Sequence, residues 1–236
     1  MLPLSKHDLL MAWDLGHARN PMDRALVLLC AAFPGTASSA LAELSIGERD
    51  EKLLSLRELT FGTRLSALAD CPHCGEHLEL EVHTEQLRFS APLDIAFSIN
   101  TGEYHVEFRL PNSMDLAAVR GETDVVAARR KLFEGCVTNN PQGIEMPETV
   151  VEAVAAAMAA ADPQGDVRLG LNCPACGQHW EQIFDIASFF WSEVHAWALR
   201  SLREVHQLAS AYGWSEADIL AMSPWRRQGY FELQGG

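Results

Sequence analysis

Apolar residues recur at intervals of three and four through the first part of the chain, a pattern typical of short amphipathic helices. Ser5 and Asp8 have the form of a capping box at the start of the first helix, and Pro21 opens the second. The same spacing predicts that Arg49 lies on the exposed side of a later helix. Because leucine rows of this kind usually form a core, we expect residues 1–70 to be an N-terminal helical region.

Apolar and polar residues alternate in several later runs, which predicts β-strands at 78–82, 166–171 and 180–184. A further alternation over 94–110 predicts a β-hairpin, and Ile95 lies on its first arm. Helical spacing returns between these strands. The middle of the chain is therefore expected to mix short strands with helices.

From residue 187 onward the apolar spacing is helical to the end of the chain. The run 187–212 carries a broad apolar and aromatic face, and Ser215 with Asp218 has the form of another capping box. We therefore expect residues 186–236 to be a C-terminal helical region.

The strongest chemical signal is a repeated pentapeptide, C-P-x-C-G, at residues 71–75 and 173–177. In such a turn both sulfurs face one metal ion, and the glycine adopts the positive φ that other residues resist. The likeness continues to His77 and His179, each three positions after the second cysteine. The sequence therefore predicts one structural zinc site. Its expected ligands are Cys71, Cys74, Cys173 and Cys176.

Redox catalysis and disulfide formation are alternative roles for the cysteines, and each has its own requirement. A thiol oxidoreductase would need a helix after Cys74, whereas the sequence offers a glycine and an alternating run. Disulfides would need an oxidising compartment, and the chain does not start with a signal-like apolar segment. Since four thiolates complete a closed site, both histidines are expected outside it. Cys30 and Cys136 stand alone in apolar helical contexts and are expected to be core thiols.

The interval between the two cysteine turns is longer than a minimal zinc ribbon needs, which predicts an inserted lobe. We expect an α+β fold that is mostly helical, with a small β zinc ribbon split by a lobe that contains the hairpin. The split ribbon is predicted to span 71–185, and the inserted α+β lobe roughly 86–165. A metal at the base of this lobe would fix its entry and exit together.

Charge and composition restrict the function. The chain has 236 residues, 48% of them hydrophobic, and a formal net charge of −14 from 18 Lys and Arg against 32 Asp and Glu. Such acidity disfavours nucleic acid, and the chain has no apolar run of the roughly 20 residues that a membrane span needs. The phosphate-binding, G-x-S-x-G and H-E-x-x-H motifs are absent. We therefore expect a protein that is cytoplasmic on synthesis, is not an enzyme and has no small-molecule substrate.

Aromatic and arginine side chains are concentrated near the C-terminus. These residue types dominate the energy of protein interfaces. Both arginines are expected to be exposed and part of a surface that binds a partner; packing at the end of the fold is the alternative. The predicted partner-binding residues are Trp214, Trp225, Arg226, Arg227 and Tyr230.

Three phrases near the C-terminus are the most specific part of the sequence: L-R-E-V-H at 202–206, Y-G-W-S-E-A-D-I-L at 212–220 and S-P-W-R-R at 223–227. Together with the two C-P-x-C-G turns and R-L-P at 109–111, they resemble the T-even-type phage baseplate protein family. Its members are also called baseplate hub assembly chaperones. The likeness is to the zinc-knuckle version found in contractile injection-system gene clusters.

This resemblance implies a structural component or assembly factor of the baseplate of a contractile phage tail or tail-like injection particle. It implies other baseplate or hub proteins as partners and supplies no catalytic residues. An alternative is a zinc-ribbon adaptor in transcription or RNA processing, which a basic surface on one face would favour.

Overall fold

The computed structural model describes residues 1–90, 97–140 and 146–234. The helices in this part of the chain are α1 (Lys6–Gly16), α2 (Pro21–Ala32), α3 (Ser38–Ala42), α4 (Ile46–Phe61), α5 (Ser113–Val119), α6 (Val125–Cys136), α7 (Glu148–Ala161), α8 (Ile186–Tyr212), α9 (Glu216–Ala221) and α10 (Pro224–Gln234). The strands are β1 (Arg64–Asp70), β2 (His77–His83), β3 (Ser98–Thr101), β4 (Tyr104–Glu107), β5 (Arg168–Asn172) and β6 (His179–Ile183). Short 3₁₀ turns lie at Thr84–Leu87 and Pro163–Gly165.

The fold is α+β and mostly helical, as predicted. Its described strands form three separate two-stranded antiparallel sheets, β1 with β2, β3 with β4 and β5 with β6. The strands expected near 78–82, 166–171 and 180–184 are present as β2, β5 and β6. The hairpin expected over 94–110 is present as β3 and β4, while Ile95 lies outside the described residues. The sequence analysis missed β1.

The main hydrophobic core joins the N-terminal helices to α8. Capping boxes start α1 at Ser5 and α4 at Ser45, where each serine accepts a hydrogen bond from the third helical N–H. The apolar faces of α1, α2 and α4 then pack on the first half of α8. Fully buried members of this core include Leu28, Leu29, Leu53, Leu56, Phe190 and Val194.

A second, smaller core lies within the part of the chain between the cysteine turns. It consists of side chains from β4, the residue that follows it, α6 and α7, namely Val106, Phe108, Phe133, Val150, Val151 and Val154. Backbone contacts attach this part to the start of α4: the N–H of Ile46 donates to the carbonyl of Pro111, and that of Gly47 donates to Asp162 Oδ2 at 2.8 Å. The domain boundaries given above remain a prediction.

Arg49 is not on the exposed side of its helix, and that expectation was wrong. Its Nε donates to Asp50 Oδ1 at 2.7 Å, and its Nη1 donates to Ser113 Oγ at 3.4 Å. Both charged residues are buried, because the segment around α5 covers this side of α4. Burial raises the pKa of the Asp50 carboxyl, and the neighbouring guanidinium opposes that rise.

In the described part of the chain, no helix combines the length and the hydrophobicity that crossing a membrane requires.

Candidate metal centre

Each cysteine turn is built by the same two backbone hydrogen bonds. The N–H of Gly75 donates to the carbonyl of Cys71, and the N–H of Cys71 donates to the carbonyl of Glu76, both at 2.9 Å. The second turn repeats this pattern with Gly177, Cys173 and Gln178, again at 2.9 Å. The glycines have φ values of 75° and 72°, the left-handed conformation predicted for them. The two turns therefore share one local conformation.

The four predicted cysteines come together in one group. Cys71 Sγ lies 3.8 Å from Cys176 Sγ, and Cys74 Sγ lies 3.5 Å from Cys173 Sγ. All four sulfurs lie within 4.8 Å of one another. A disulfide would require about 2.05 Å between sulfurs, so these are free thiols.

The sulfur spacing fits a tetrahedral metal ion. With metal–sulfur bonds of about 2.3 Å, the edge of a regular tetrahedron is about 3.8 Å. The measured distances of 3.5 and 3.8 Å between turns match that edge. Such a donor set suits zinc or iron better than calcium or magnesium, which prefer oxygen ligands. The four side chains could therefore hold one thiophilic ion without rearrangement of the backbone.

Two β-hairpins hold the turns in place. β1 and β2 lead into and out of the first turn, with Asp70 opposite His77, and β5 and β6 do the same for the second, with Asn172 opposite His179. Behind the sulfurs, an apolar cluster contains Cys71, Cys173, Leu78, Leu80 and Trp180. The first cysteine of each turn is buried, and the second is exposed.

Trp180 is a residue of this site that sequence reasoning did not single out. Its indole N–H is buried and has no hydrogen-bond partner among the described residues. The ring packs in the same cluster as Cys71 and Cys173, so it covers these two ligands on their apolar side. Its position in the repeat could have indicated this role. Trp180 stands as far after Cys173 as Leu78 stands after Cys71.

The pKa values of Cys71 and Cys74 shift in opposite directions, because a thiolate on one sulfur disfavours a thiolate on its neighbour. Burial raises the pKa of Cys71, but hydrogen bonds from the N–H groups of Cys74 and His73 and from neighbouring thiols lower it to about 6. For Cys74 the N–H of Glu76 lowers the pKa, whereas the Cys173 thiol and burial raise it, with a net rise to about 12. Four thiolates this close together need a cation to remain ionised at neutral pH.

The two histidines lie at the hairpin ends. His77 Nδ1 lies 2.6 Å from Asp70 Oδ1, and His179 Nδ1 lies 3.2 Å from Asn172 Oδ1. The hydrogen bond with Asp70 raises the pKa of His77. Neither ring belongs to the group of potential metal ligands found among the described residues. A strand, β2, follows Cys74, so the helix required by the oxidoreductase alternative is absent.

The five predicted partner-binding residues do not share one environment. Trp225 is 87% exposed, and Arg226 is also exposed, with its guanidinium 5.8 Å from the centre of the Tyr230 ring. Trp214 and Tyr230 are half-buried, and their rings lie 4.7 Å apart beside Tyr212. These aromatics pack α10 against the end of α8.

The expectation that Arg227 is exposed was wrong. The residue is 7% exposed, its Nε donates to Glu204 Oε2 at 2.8 Å, and its Nη1 donates to the carbonyl of Met222 at 2.9 Å. α10 lies along α8 in such a way that adjacent arginines face opposite directions. Arg227 therefore joins α10 to α8, and only Arg226 remains available at the surface.

Comparison with known protein families supplies a match for the first part of the chain. The model of a family described as T4 bacteriophage base plate protein matches residues 5–139, more than half of the chain. The matched part runs from α1 through α6 and contains the first cysteine turn. No curated protein and no solved structure matches the chain.

Proposed function

Because the chain belongs to the T4 bacteriophage base plate protein family, we propose that it is a structural component or assembly factor of the baseplate of a contractile phage tail or tail-like injection particle. The observation that carries this proposal is the family match over residues 5–139. In this proposal the chain has no catalytic activity. Its partners are other baseplate or hub proteins. The formal charge of −14 disfavours the alternative of an adaptor that binds nucleic acid.

The metal in this proposal is one structural zinc ion held by the four clustered cysteines. The support is the sulfur spacing of 3.5 and 3.8 Å, which equals a tetrahedral edge within a few tenths of an ångström. Four thiolates leave no open coordination position for a substrate, as in closed structural sites. When bound, the ion neutralises thiolate charge and ties the β1–β2 hairpin to the β5–β6 hairpin.

The proposed partner surface is centred on Trp225, with Arg226 beside it. Trp225 is 87% exposed, and aromatic and arginine residues are frequent hot spots of protein interfaces. Leu233, also on α10, is 74% exposed and extends the apolar area. Arg227 is excluded from this surface because it is buried against Glu204.

The test is assembly of the particle with and without this chain. Deleting its gene from a strain that makes the particle should abolish complete baseplates, and a plasmid copy should restore them. Mass spectrometry of purified particles then separates the two forms of the proposal: a component is present in the finished particle, and an assembly factor is found only in intermediates. Normal particle yield after deletion would overturn the proposal.

The Trp225 surface is tested in the same strain. Trp225→Ala should lower particle yield without lowering the thermal midpoint of the purified chain. Leu59→Ala is the matched control, because Leu59 is another exposed apolar side chain, on α4. If both variants support normal yield, the partner surface lies elsewhere.

A further inference from the structure

A groove of about 710 Å³ runs between the two cysteine-bearing hairpins and α8. Consecutive residues of β1, 66–70, form one wall, with only Leu80 from β2. Residues 182–185, at the end of β6 and the start of α8, form the other wall, and α8 lies beneath. A groove lined by consecutive residues of one strand follows the edge of that strand, so the edge of β1 forms this wall.

The edge of β1 that faces away from β2 is unpaired in the described part of the chain. Hydrogen bonds from Cys71 N–H to Glu76 and from Thr84 N–H to Thr63 mark the paired positions at the two ends of the ladder. Since paired positions alternate in an antiparallel ladder, every second residue of β1 directs its N–H and C=O away from β2. These residues are Arg64, whose carbonyl accepts a hydrogen bond from Arg57, and then Ser66, Leu68 and Asp70.

The second hairpin repeats this arrangement. Hydrogen bonds from Cys173 N–H to Gln178 and from Phe184 N–H to Val167 mark its paired positions. The residues of β6 whose backbone groups point away from β5 are therefore His179, Glu181 and Ile183. The groove thus has backbone donors and acceptors along β1 and, at Ile183, on the opposite wall.

The side chains of the groove are apolar, neutral polar and acidic. Leu68 is 78% exposed and Ile183 is 59% exposed, so apolar side chains on both walls are open to solvent. The charged residues among the described lining are all carboxylates, Asp70, Asp185 and Glu193. Glu193 pairs with Arg57, and Asp70 lies 2.6 Å from the ring of His77. Asp185, which caps α8, is therefore the groove carboxylate that has no cationic partner among the described residues.

We propose that this groove binds an extended segment of another baseplate protein, which adds to the free edge of β1 as a third strand. The open stretch 66–70 accommodates a strand of about five residues. Apolar side chains of that segment would contact Leu68 and Ile183, and a Lys or Arg side chain would lie near Asp185. Main-chain hydrogen bonds supply affinity in this mode of recognition, and alternate side chains supply specificity. The identity of the partner as a baseplate protein rests on the proposed function.

Proline scanning of the hairpin edges tests the proposal. Leu68→Pro removes an N–H that points into the groove and leaves the bonds between β1 and β2 intact. Glu79→Pro is the matched control, since Glu79 stands opposite Leu68 and directs its N–H to the far edge of the same hairpin. The tagged chain is purified from particle-producing cells, and co-purified baseplate proteins are quantified by mass spectrometry. Leu68→Pro should reduce recovery of one baseplate protein about tenfold, and Glu79→Pro should leave it unchanged.

A photo-crosslinking amino acid at position 68 of the otherwise unaltered chain provides a second measurement, which stands even if the proline variant fails to fold. It should attach to a segment of a baseplate protein that contains apolar residues and a Lys or Arg. Equal recovery with both folded proline variants, or crosslinks only to a second copy of this chain, or none to a baseplate protein, would overturn the inference. If the unaltered chain recovers no baseplate protein at all, the proposed function itself fails.

Discussion

Arg57 of α4 and Glu193 of α8 form a bidentate ion pair, with Nη2–Oε1 at 2.6 Å and Nε–Oε2 at 2.8 Å. The same guanidinium donates to the carbonyls of Gly62 at 2.6 Å and Arg64 at 2.8 Å. Arg57 is only 2% exposed. One side chain therefore joins the end of α4, the start of β1 and α8, which together support the cysteine cluster.

Arg57→Lys is expected to destabilise the chain by about 1–3 kcal/mol, because a lysine keeps the charge but cannot replace the bidentate contact or both carbonyl bonds. Urea denaturation at neutral pH measures the change. Arg88→Lys is the control: its guanidinium pairs with Glu58 at 2.8 Å in a more exposed setting, and the cost should stay below about 1 kcal/mol. Similar losses in the two variants would contradict this account of Arg57.

Purified protein should contain about one zinc per chain, measured by elemental analysis. Cys71→Ser should lose the metal, since apparent binding energies of roughly 10–16 kcal/mol depend on the complete ligand set. Cys30→Ser is the control, because that half-buried thiol lies outside the cluster. A metal-free chain that is fully folded with normal stability would refute the zinc site, and iron in its place would correct the identity of the ion.

Removal of the metal by a chelator should increase hydrogen exchange in β1, β2, β5 and β6, because thiolate repulsion then replaces metal binding at the junction of the hairpins. The part of the chain between the turns should also exchange faster, since its entry and exit are no longer fixed together. The buried helix α2 provides an internal reference. Uniform protection before and after chelation would show that the hairpins do not depend on the metal.

Arg227→Ala should lower stability by about 1–3 kcal/mol, because Glu204 and the carbonyl of Met222 lose their donor. Arg226→Ala, one position away and exposed, should change it by less than about 0.5 kcal/mol. Thermal and urea unfolding of the two single variants make the comparison. If the order is reversed, the described orientation of α10 is incorrect.

Asp115 is expected to stabilise the fold above about pH 4 and to lose that effect in acid. Burial raises the pKa of its carboxyl, but hydrogen bonds from Arg109 at 2.6 and 2.7 Å and from the N–H of Asn112 outweigh burial and lower the pKa. A carboxyl whose pKa is lower in the folded state stabilises above its unfolded pKa, about 3.9, and the gain disappears as pH falls through the folded pKa. The unfolding free energies of the unaltered chain and Asp115→Asn should therefore differ at pH 7 and converge in acid. A constant difference would argue against the ionised pair.

Local patterns were sufficient for much of the fold. The repeated C-P-x-C-G fixed both turns, because the cysteine spacing and the glycine determine the backbone conformation over a few residues. Amphipathic spacing likewise placed α8, and alternation placed β2, β5 and β6. β1 was missed because the exposed Leu68 interrupts its alternation and joins it to the leucine pattern of the preceding helix.

Burial of charged residues could not be read from the same patterns. Arg49 and Arg227 occupy positions that helical periodicity assigns to the surface, yet each is covered by an element distant in sequence, α5 for the first and α8 for the second. The pairing of sulfurs across the turns, Cys71 with Cys176 and Cys74 with Cys173, also depends on how the two hairpins pack. Such contacts are set by tertiary structure and leave no local signal.

The position of the cysteine cluster determines how the chain carries mechanical load. With a metal ion on the four sulfurs, a force that has separated the N-terminal helices from α8 and reaches β1 would pass across the sulfurs into β6 and α8. Residues 75–172 lie between the two cysteine turns, so the cluster bridges them and they lie outside that path of tension. Under such a force, this part would carry little tension while the N-terminal and C-terminal helices bear it. Its length would be released only when a bond between sulfur and metal breaks.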